Sequence, residues 1–354
     1  VSERARSANT GGLRTQVKAA LARWVLHKRR DLLGSEDAGH RPAAHDEATH
    51  AWDGRRRFAE DYVFAAVQPD LGVLVRLEWL PGRAAHRVWL MILREDAAWW
   101  IPPDETIVAQ SVADRWHVAG LTLDCVQPLS RWTVRYAGKL HPVEPGDDRG
   151  PRRCEIQLEF TADGAVFVPG VDDDPELVAR RLGEAHWDPA LVRAVRRAAQ
   201  RGYVQVGRLR GTAVVGDDVI PVDARSVRQH HWGVRDWGAP TGAVQSLLVD
   251  GGELAWVQRA EFPALTLEGG FVADDGRWRP ITGIGRAARE RDACELEVET
   301  GDGARRWSTQ VLRAATMRVD GRGSFDLALV SGPSGVCGLW ASQWRTLPPV
   351  PVSR

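Results

Sequence analysis

Ser246-Leu-Leu-Val-Asp250-Gly251-Gly252-Glu-Leu-Ala-Trp-Val257 sets two short runs of apolar residues on either side of an Asp-Gly-Gly turn. Asp-Gly and Gly-Gly supply the positive φ angles that tight hairpin turns demand. The pattern recurs through residues 203–345, at Gly216-Asp217-Asp218, Asp274-Asp275-Gly276, Gly301-Asp302-Gly303 and Asp320-Gly321, each flanked by strand-like runs. Evenly spaced hairpins without alternating helices predict an antiparallel sandwich or barrel and disfavour a parallel α/β sheet. Closing such a sheet into a barrel removes its edges and can enclose an apolar cavity.

The same reading extends upstream. Short β-branched and aromatic runs at 73–79, 86–93, 121–126 and 132–140 predict a first, mostly antiparallel β body, with 121–126 and 132–140 as neighbours and Thr161-Ala-Asp-Gly164 as a hairpin turn. Between the bodies, Asp174-Pro175 and Asp188-Pro189 each pair an N-cap aspartate with proline at the first helical position. Helices are expected at about 175–185 and 189–200. Near the N-terminus Leu13, Val17, Leu21, Trp24 and Val25 recur at helical spacing between basic residues, so 13–33 reads as an amphipathic basic helix.

The fold class expected is therefore all-β, with two barrel or sandwich domains, an N-terminal helix and a short helical connector. The expected divisions are 1–54 (helix and linker), 55–174 (first β domain), 175–202 (connector), 203–345 (second β domain) and 346–354 (tail). Within the linker, His40, His45, Asp46, Glu47, His50 and Asp53 outwardly resemble a metal cluster. The spacing is not His-Glu-x-x-His, and His45 and His50 do not share a helix face, so the segment reads as polar linker with no metal assigned.

Composition narrows the function. Lysine plus arginine equals aspartate plus glutamate at 47 each, which lacks the basic excess of proteins that track phosphate backbones and argues against a nucleic-acid ligand. Four scattered cysteines offer neither a zinc knuckle nor a redox pair and read as buried free thiols. With no run of 18 apolar residues and no signal-peptide pattern, a cytoplasmic protein is expected, with 13–33 as an optional membrane-surface or partner contact. Sixteen tryptophans against seven phenylalanines and three tyrosines put many large flat faces somewhere, and an indole-lined pocket suits a large apolar ligand.

Walker, nucleophile-elbow and zincin motifs are absent, and Gly283-Ile-Gly285-Arg-Ala-Ala288 fits the dinucleotide fingerprint without the helix that must follow it. No cofactor is expected. The densest polar-aromatic stretch is Arg228-Gln-His230-His231-Trp232-Gly-Val-Arg235-Asp236-Trp237. In an extended strand His230, Trp232 and Asp236 share one face, with His231, Arg235 and Trp237 on the other.

This run, preceded by Gly202-Tyr-Val-Gln-Val-Gly207 and Gly211, and by Trp132-Thr-Val-Arg-Tyr-Ala-Gly138 in the first body, resembles the AttH/carotenoid 1,2-hydratase superfamily over about residues 55–345. The resemblance implies two lipocalin-like β domains and an apolar isoprenoid or polyketide ligand. Its members include hydratases, Diels–Alder enzymes and terpene cyclases. The hydratases are similar at His230, Trp232 and Gly233 but carry an aspartate, their proton donor, where this chain has Gln229. An amide is no Brønsted acid at neutral pH.

Asp236, His230 and His231 are thus the candidate catalytic acid–base groups. Trp232, Trp237, Arg235, Tyr203, Trp79, Trp99, Trp100 and Glu78 are candidate substrate contacts, and Asp223 is a further carboxyl in reserve. The expected activity is cyclisation, isomerisation or hydration by proton transfer in a tryptophan-lined cavity. A non-catalytic lipid, steroid or polyene carrier, a pericyclase acting by shape alone and a scaffold docking through 13–33 are the open alternatives.

Overall fold

The computed structural model describes residues 15–23, 41–102, 106–109, 116–144, 150–185, 187–189, 200–235, 240–319 and 323–345. Strands β1 (Phe58–Gln68), β2 (Leu71–Leu80), β3 (Ala85–Arg94) and β4 (Ala98–Trp100) form an antiparallel meander. After the short β5 (Ile107–Ala109) and β6 (His117–Val118) come β7 (Leu121–Gln127), β8 (Arg131–Pro142) and β9 (Arg152–Ala162). The next two strands, β10 (Arg201–Val215) and β11 (Asp218–Val234), complete this sheet in the order β4-β3-β2-β1-β11-β10-β9-β8-β7-β6. Pairing of β4 with β8, through Trp99 opposite Pro142 and Trp100 opposite His141, closes an eight-strand ring within it.

The second body is a closed up-and-down barrel of β12 (Gly242–Asp250), β13 (Glu253–Phe262), β14 (Leu265–Asp274), β15 (Arg277–Arg289), β16 (Ala293–Thr300), β17 (Gly303–Val319), β18 (Gly323–Ser331) and β19 (Cys337–Arg345). Where its turns are described they follow the turn chemistry of the sequence, and Asp320-Gly321 lies outside the described residues. At Asp275 and Gly276 both φ angles are positive, 46° and 73°, as a two-residue turn matching strand twist requires. The structure is thus all-β and two-bodied, and the Gly283–Ala288 glycine pattern lies inside β15 with no helix after it.

Two expectations need correction. The division at 203 assigned residues 203–234 to the second body, yet β11 pairs with β1 over ten residues and β10 with β9, so both belong to the first barrel and the second starts at Gly242. Hairpin signals report local pairing and carry no information on which sheet a hairpin joins. Thr161–Gly164 ends β9, but no strand pairs back, and Phe167 instead forms an isolated bridge with Val204.

The helical expectations hold where residues are described. Residues 15–23 (α1) are helical, and α2 (Pro175–Glu184) begins on Asp174, whose side chain accepts the Leu177 N–H at 2.7 Å. Leu177, fully buried, anchors α2 in the interior cluster of the second barrel. Residues 24–33 and 190–199 lie outside the described residues.

Burial explains the strand compositions. β1, β2 and β3 are buried on both faces, which is why Phe58–Gln68 and Leu71–Leu80 read as nearly continuous apolar runs. One face, with Tyr62, Phe64, Trp132 and Phe160, fills the first barrel. The opposite face, with Val63, Ala65, Leu74 and Trp89, packs against outward residues of the second barrel such as Trp256, Leu327 and Leu339. β8 and β9 have one solvated face and alternate in burial accordingly.

Candidate functional site

The register of β1 on β11 sets Glu60 opposite Trp232, Asp61 opposite His231 and Tyr62 opposite His230. Adjacent residues on a strand point to opposite faces, so the Arg228–Trp232 run serves two separate places. Arg228, His230 and Trp232 enter the first barrel with Tyr62 and Glu60. Gln229 and His231, with Asp61, face the second barrel and line a cavity of about 520 Å3 between the two bodies.

A polar row crosses that cavity face at one end: Gly202, His231, Asp61, Glu78 and Arg87 lie in register on β10, β11, β1, β2 and β3. Arg76 Nη2 is 2.7 Å from Asp61 Oδ2 and 3.1 Å from Glu78 Oε1. Arg235 Nη1 reaches the same two oxygens at 2.9 and 3.1 Å, and Arg87 Nη1 sits 2.9 Å from Glu78 Oε2. Burial opposes the Asp61 charge, but the Arg76 guanidinium and His231, whose Nδ1 is 3.4 Å away, hold its carboxyl below the ordinary range. Gly202 is required here, since a Cβ would stand 2.4 Å from the His230 carbonyl and 2.5 Å from the His231 ring. Gln229 accepts from Gln245 Nε2 at 3.0 Å, a bond between the two barrels.

Val63, Ala65, Leu74 and Trp89 of the first barrel and Leu247 and Trp256 of the second form the apolar walls. Trp256 is fully buried, yet its indole N–H has no hydrogen-bond partner among the described residues.

Two more carboxyls line the cavity. Glu268 is paired with Arg181 at 2.5 Å and Arg259 at 3.4 Å. Asp173 has no such cation among the described residues: its oxygens take the N–H groups of Gly170 at 2.7 Å and Gly270 at 3.0 Å. Burial, with the charges of Asp172 and Asp174 nearby, outweighs those two donors and raises it to about 6.

Inside the first barrel, Arg228 grips Glu47 through Nη1–Oε2 (2.9 Å) and Nη2–Oε1 (2.7 Å), a bidentate pair with both side chains buried. Trp132 Nε1 donates to Glu47 Oε2 at 2.6 Å, and Tyr203 donates to Oε1. The Arg228 charge and these bonds hold Glu47 low against its burial, while burial carries the Tyr203 and Tyr62 hydroxyls well above their usual range. Beside them His50, Glu60 and His230 converge, the one group of described residues whose side chains have the donors and proximity to hold a metal ion. Burial lowers His230, and Glu60 is held low by its hydrogen bonds to His230 and His50 in spite of burial.

Of the residues singled out in the sequence, His231 and Arg235 line the cavity, and Glu78 braces Arg235 from the same sheet face. His230, Trp232, Tyr203, Trp79 and Trp99 lie on the barrel-interior face, away from it, a placement that follows from strand register. Trp100 packs at the barrel–barrel interface without lining the cavity. Asp223 is exposed and paired with Arg208 at 2.7 Å. Asp236 and Trp237 lie outside the described residues.

The reading of the sequence missed Glu60, Asp61, Arg76 and Asp173, set Glu47 and His50 aside as linker, and gave Arg228 no role of its own. One signal was available: Glu60-Asp61 is an adjacent acidic pair inside an otherwise apolar strand, and buried charges are seldom kept without partners. Asp173 stood hidden in Asp172-Asp173-Asp174, where the helix cap explained only the last.

No curated protein matches the chain. Among solved structures it is similar to CghA with Sch210972, at 14% identity over 82% of this chain and 89% of that one, TM-score 0.44. It is also similar to an AttH protein of Nitrosomonas europaea, at 12% identity over 86% and 97%, TM-score 0.49. Kievitone hydratase from Nectria haematococca is similar at 6% identity over 80% and 87%, TM-score 0.44. Residues 43–331 match the family described as a domain of unknown function, DUF7064, and the chain belongs to that family.

Proposed function

We propose that the protein is an enzyme that takes an apolar small molecule bearing an oxygenated group, isoprenoid-like or polyketide, into the cavity between its barrels. There it promotes cyclisation, isomerisation or hydration by orientation and proton transfer. The observation that carries this reading is the cavity's make-up: apolar walls, a fixed polar row at one end, and in Asp173 a buried carboxyl with no cation beside it among the described residues. The Trp256 N–H supports it, since a buried indole normally finds an acceptor and a ligand oxygen would provide one.

Asp173 is the group assigned to give the proton. Gln229, at the position where the hydratases carry their donor, lines the same cavity and cannot serve, so a second wall supplies the acid. The donated proton adds to a carbon–carbon double bond or carbonyl of the substrate. The cation so formed loses another proton directly, after ring closure or after adding water, and that proton returns Asp173 to its acid form. His231, anchored on Asp61, is placed to hydrogen-bond the oxygenated end.

The test is incubation of linear polyenes and polyketides with the protein, with products followed by mass spectrometry from pH 5 to 8. Turnover is expected to fall as pH rises through about 6, where Asp173 loses its proton. Asp173→Asn is expected to lose about 100-fold or more. Ligand bound but always released unchanged makes the protein a carrier, and turnover equal in the variant and flat with pH makes it an enzyme acting by shape alone.

A further inference from the structure

On the opposite face of β1 and β11 from the cavity, three donor atoms meet. His50 Nδ1 lies 2.8 Å and His230 Nε2 3.0 Å from one oxygen, Oε1, of Glu60, and all three donors fall within 4.8 Å of one another. Both rings are fixed by aromatic faces: His50 stacks on Trp232 (3.8 Å, 8°) and His230 on Tyr62 (4.0 Å, 20°). Glu60 and His230 are fully buried, and the His50 side chain, 22% exposed, stands between them and solvent.

A neutral His230 cannot donate in both of its ring contacts. Tyr203 donates its single proton to Glu47, so its oxygen meets His230 Nδ1, 3.4 Å away, only as an acceptor. If Nδ1 carries the ring proton, the Nε2 lone pair of a neutral His230 faces the Glu60 carboxylate. If Nε2 carries it, the Nδ1 lone pair faces the Tyr203 oxygen. A cation among His50, Glu60 and His230 removes the conflict: Nδ1–H donates to Tyr203 and Nε2 becomes a ligand, the arrangement usual for histidine at metal centres.

We propose that His50 Nδ1, Glu60 Oε1 and His230 Nε2 form a binding site for a divalent first-row transition ion such as Zn2+. Donors 2.8 and 3.0 Å apart subtend about 85–90° at an ion 2.1 Å from each, which leaves further coordination positions open to water. Tyr203 is the outer partner of His230, and Asp46 Oδ1 lies 3.8 Å from the distal nitrogen of His50. The ion ties the segment carrying Glu47 and His50 to β1 and β11, and so closes the end of the first barrel.

The full chain, stripped with EDTA and desalted, would be titrated with Zn2+ against a chromophoric chelator, with thermal unfolding in parallel. One equivalent is expected to bind, raising Tm by about 3–4 °C at 100-fold excess over Kd. Glu60→Gln and His50→Ala are expected to weaken binding by about 100-fold and to abolish the shift. His45→Ala, an exposed histidine of the same segment, controls for surface binding and should leave both unchanged. His50→Ala alters a partly exposed side chain, so it remains informative if Glu60→Gln fails to fold. Absence of stoichiometric binding, or binding by folded His50→Ala at wild-type affinity, overturns the proposal.

Discussion

Asp173 shows at the scale of one residue how a site is held ready at a cost. Its folded value of about 6 lies above the 3.8 of an unperturbed aspartate, so the folded chain holds this proton more tightly than the unfolded one. The stability it contributes is present in full below about pH 4 and is lost as pH rises through about 6, by about 3 kcal/mol. Urea unfolding at pH 4, 5, 6 and 7 should therefore show wild type losing ground relative to Asp173→Asn across that window, and parallel profiles would contradict the assignment. The Glu60-Asp61 pair signalled a buried charge, but the states of Asp173 and Asp61 could not be read from the sequence, because they depend on partners 97 and 174 positions away, Gly270 and Arg235. By contrast His231 and Arg235 stood out as a dense polar run, and both do line the cavity.

At the scale of elements, β11 was legible as a strand and its two faces were separable by alternation. Which face meets the cavity was not, because that depends on β1, whose doubly buried residues show no alternation to orient it. The same limit left the facing of Trp79 and Trp99 open, and both lie on the barrel-interior face. Glu47 and His50 were read as linker because a four-residue turn (Ala44–Glu47) has too little periodicity to announce that it caps a barrel. The pairing of β10 with β11 is tested at Gly202, where the His231 ring lies against the bare backbone. Gly202→Ala should displace that ring and lower stability by about 1–3 kcal/mol in urea unfolding. An unchanged midpoint would show that β10 tolerates a side chain there.

At the scale of the whole molecule, two barrels back onto each other through outward-facing apolar residues, and the space left between them is the candidate reaction chamber. The two-body all-β architecture was legible from turn spacing, but the chamber was not, since it is made by packing one body on the other. Among the described residues no helix is long and apolar enough to cross a membrane. The most direct measurement is mass spectrometry of small molecules extracted from freshly purified protein after exposure to a polyene and polyketide mixture, comparing wild type with Ala243→Trp. Ala243 lines the chamber, and an indole there fills much of it. A stoichiometric apolar ligand in the wild type that is lost in the folded variant is the expected result. Equal retention by both, or retention by neither, would contradict a ligand chamber between the barrels.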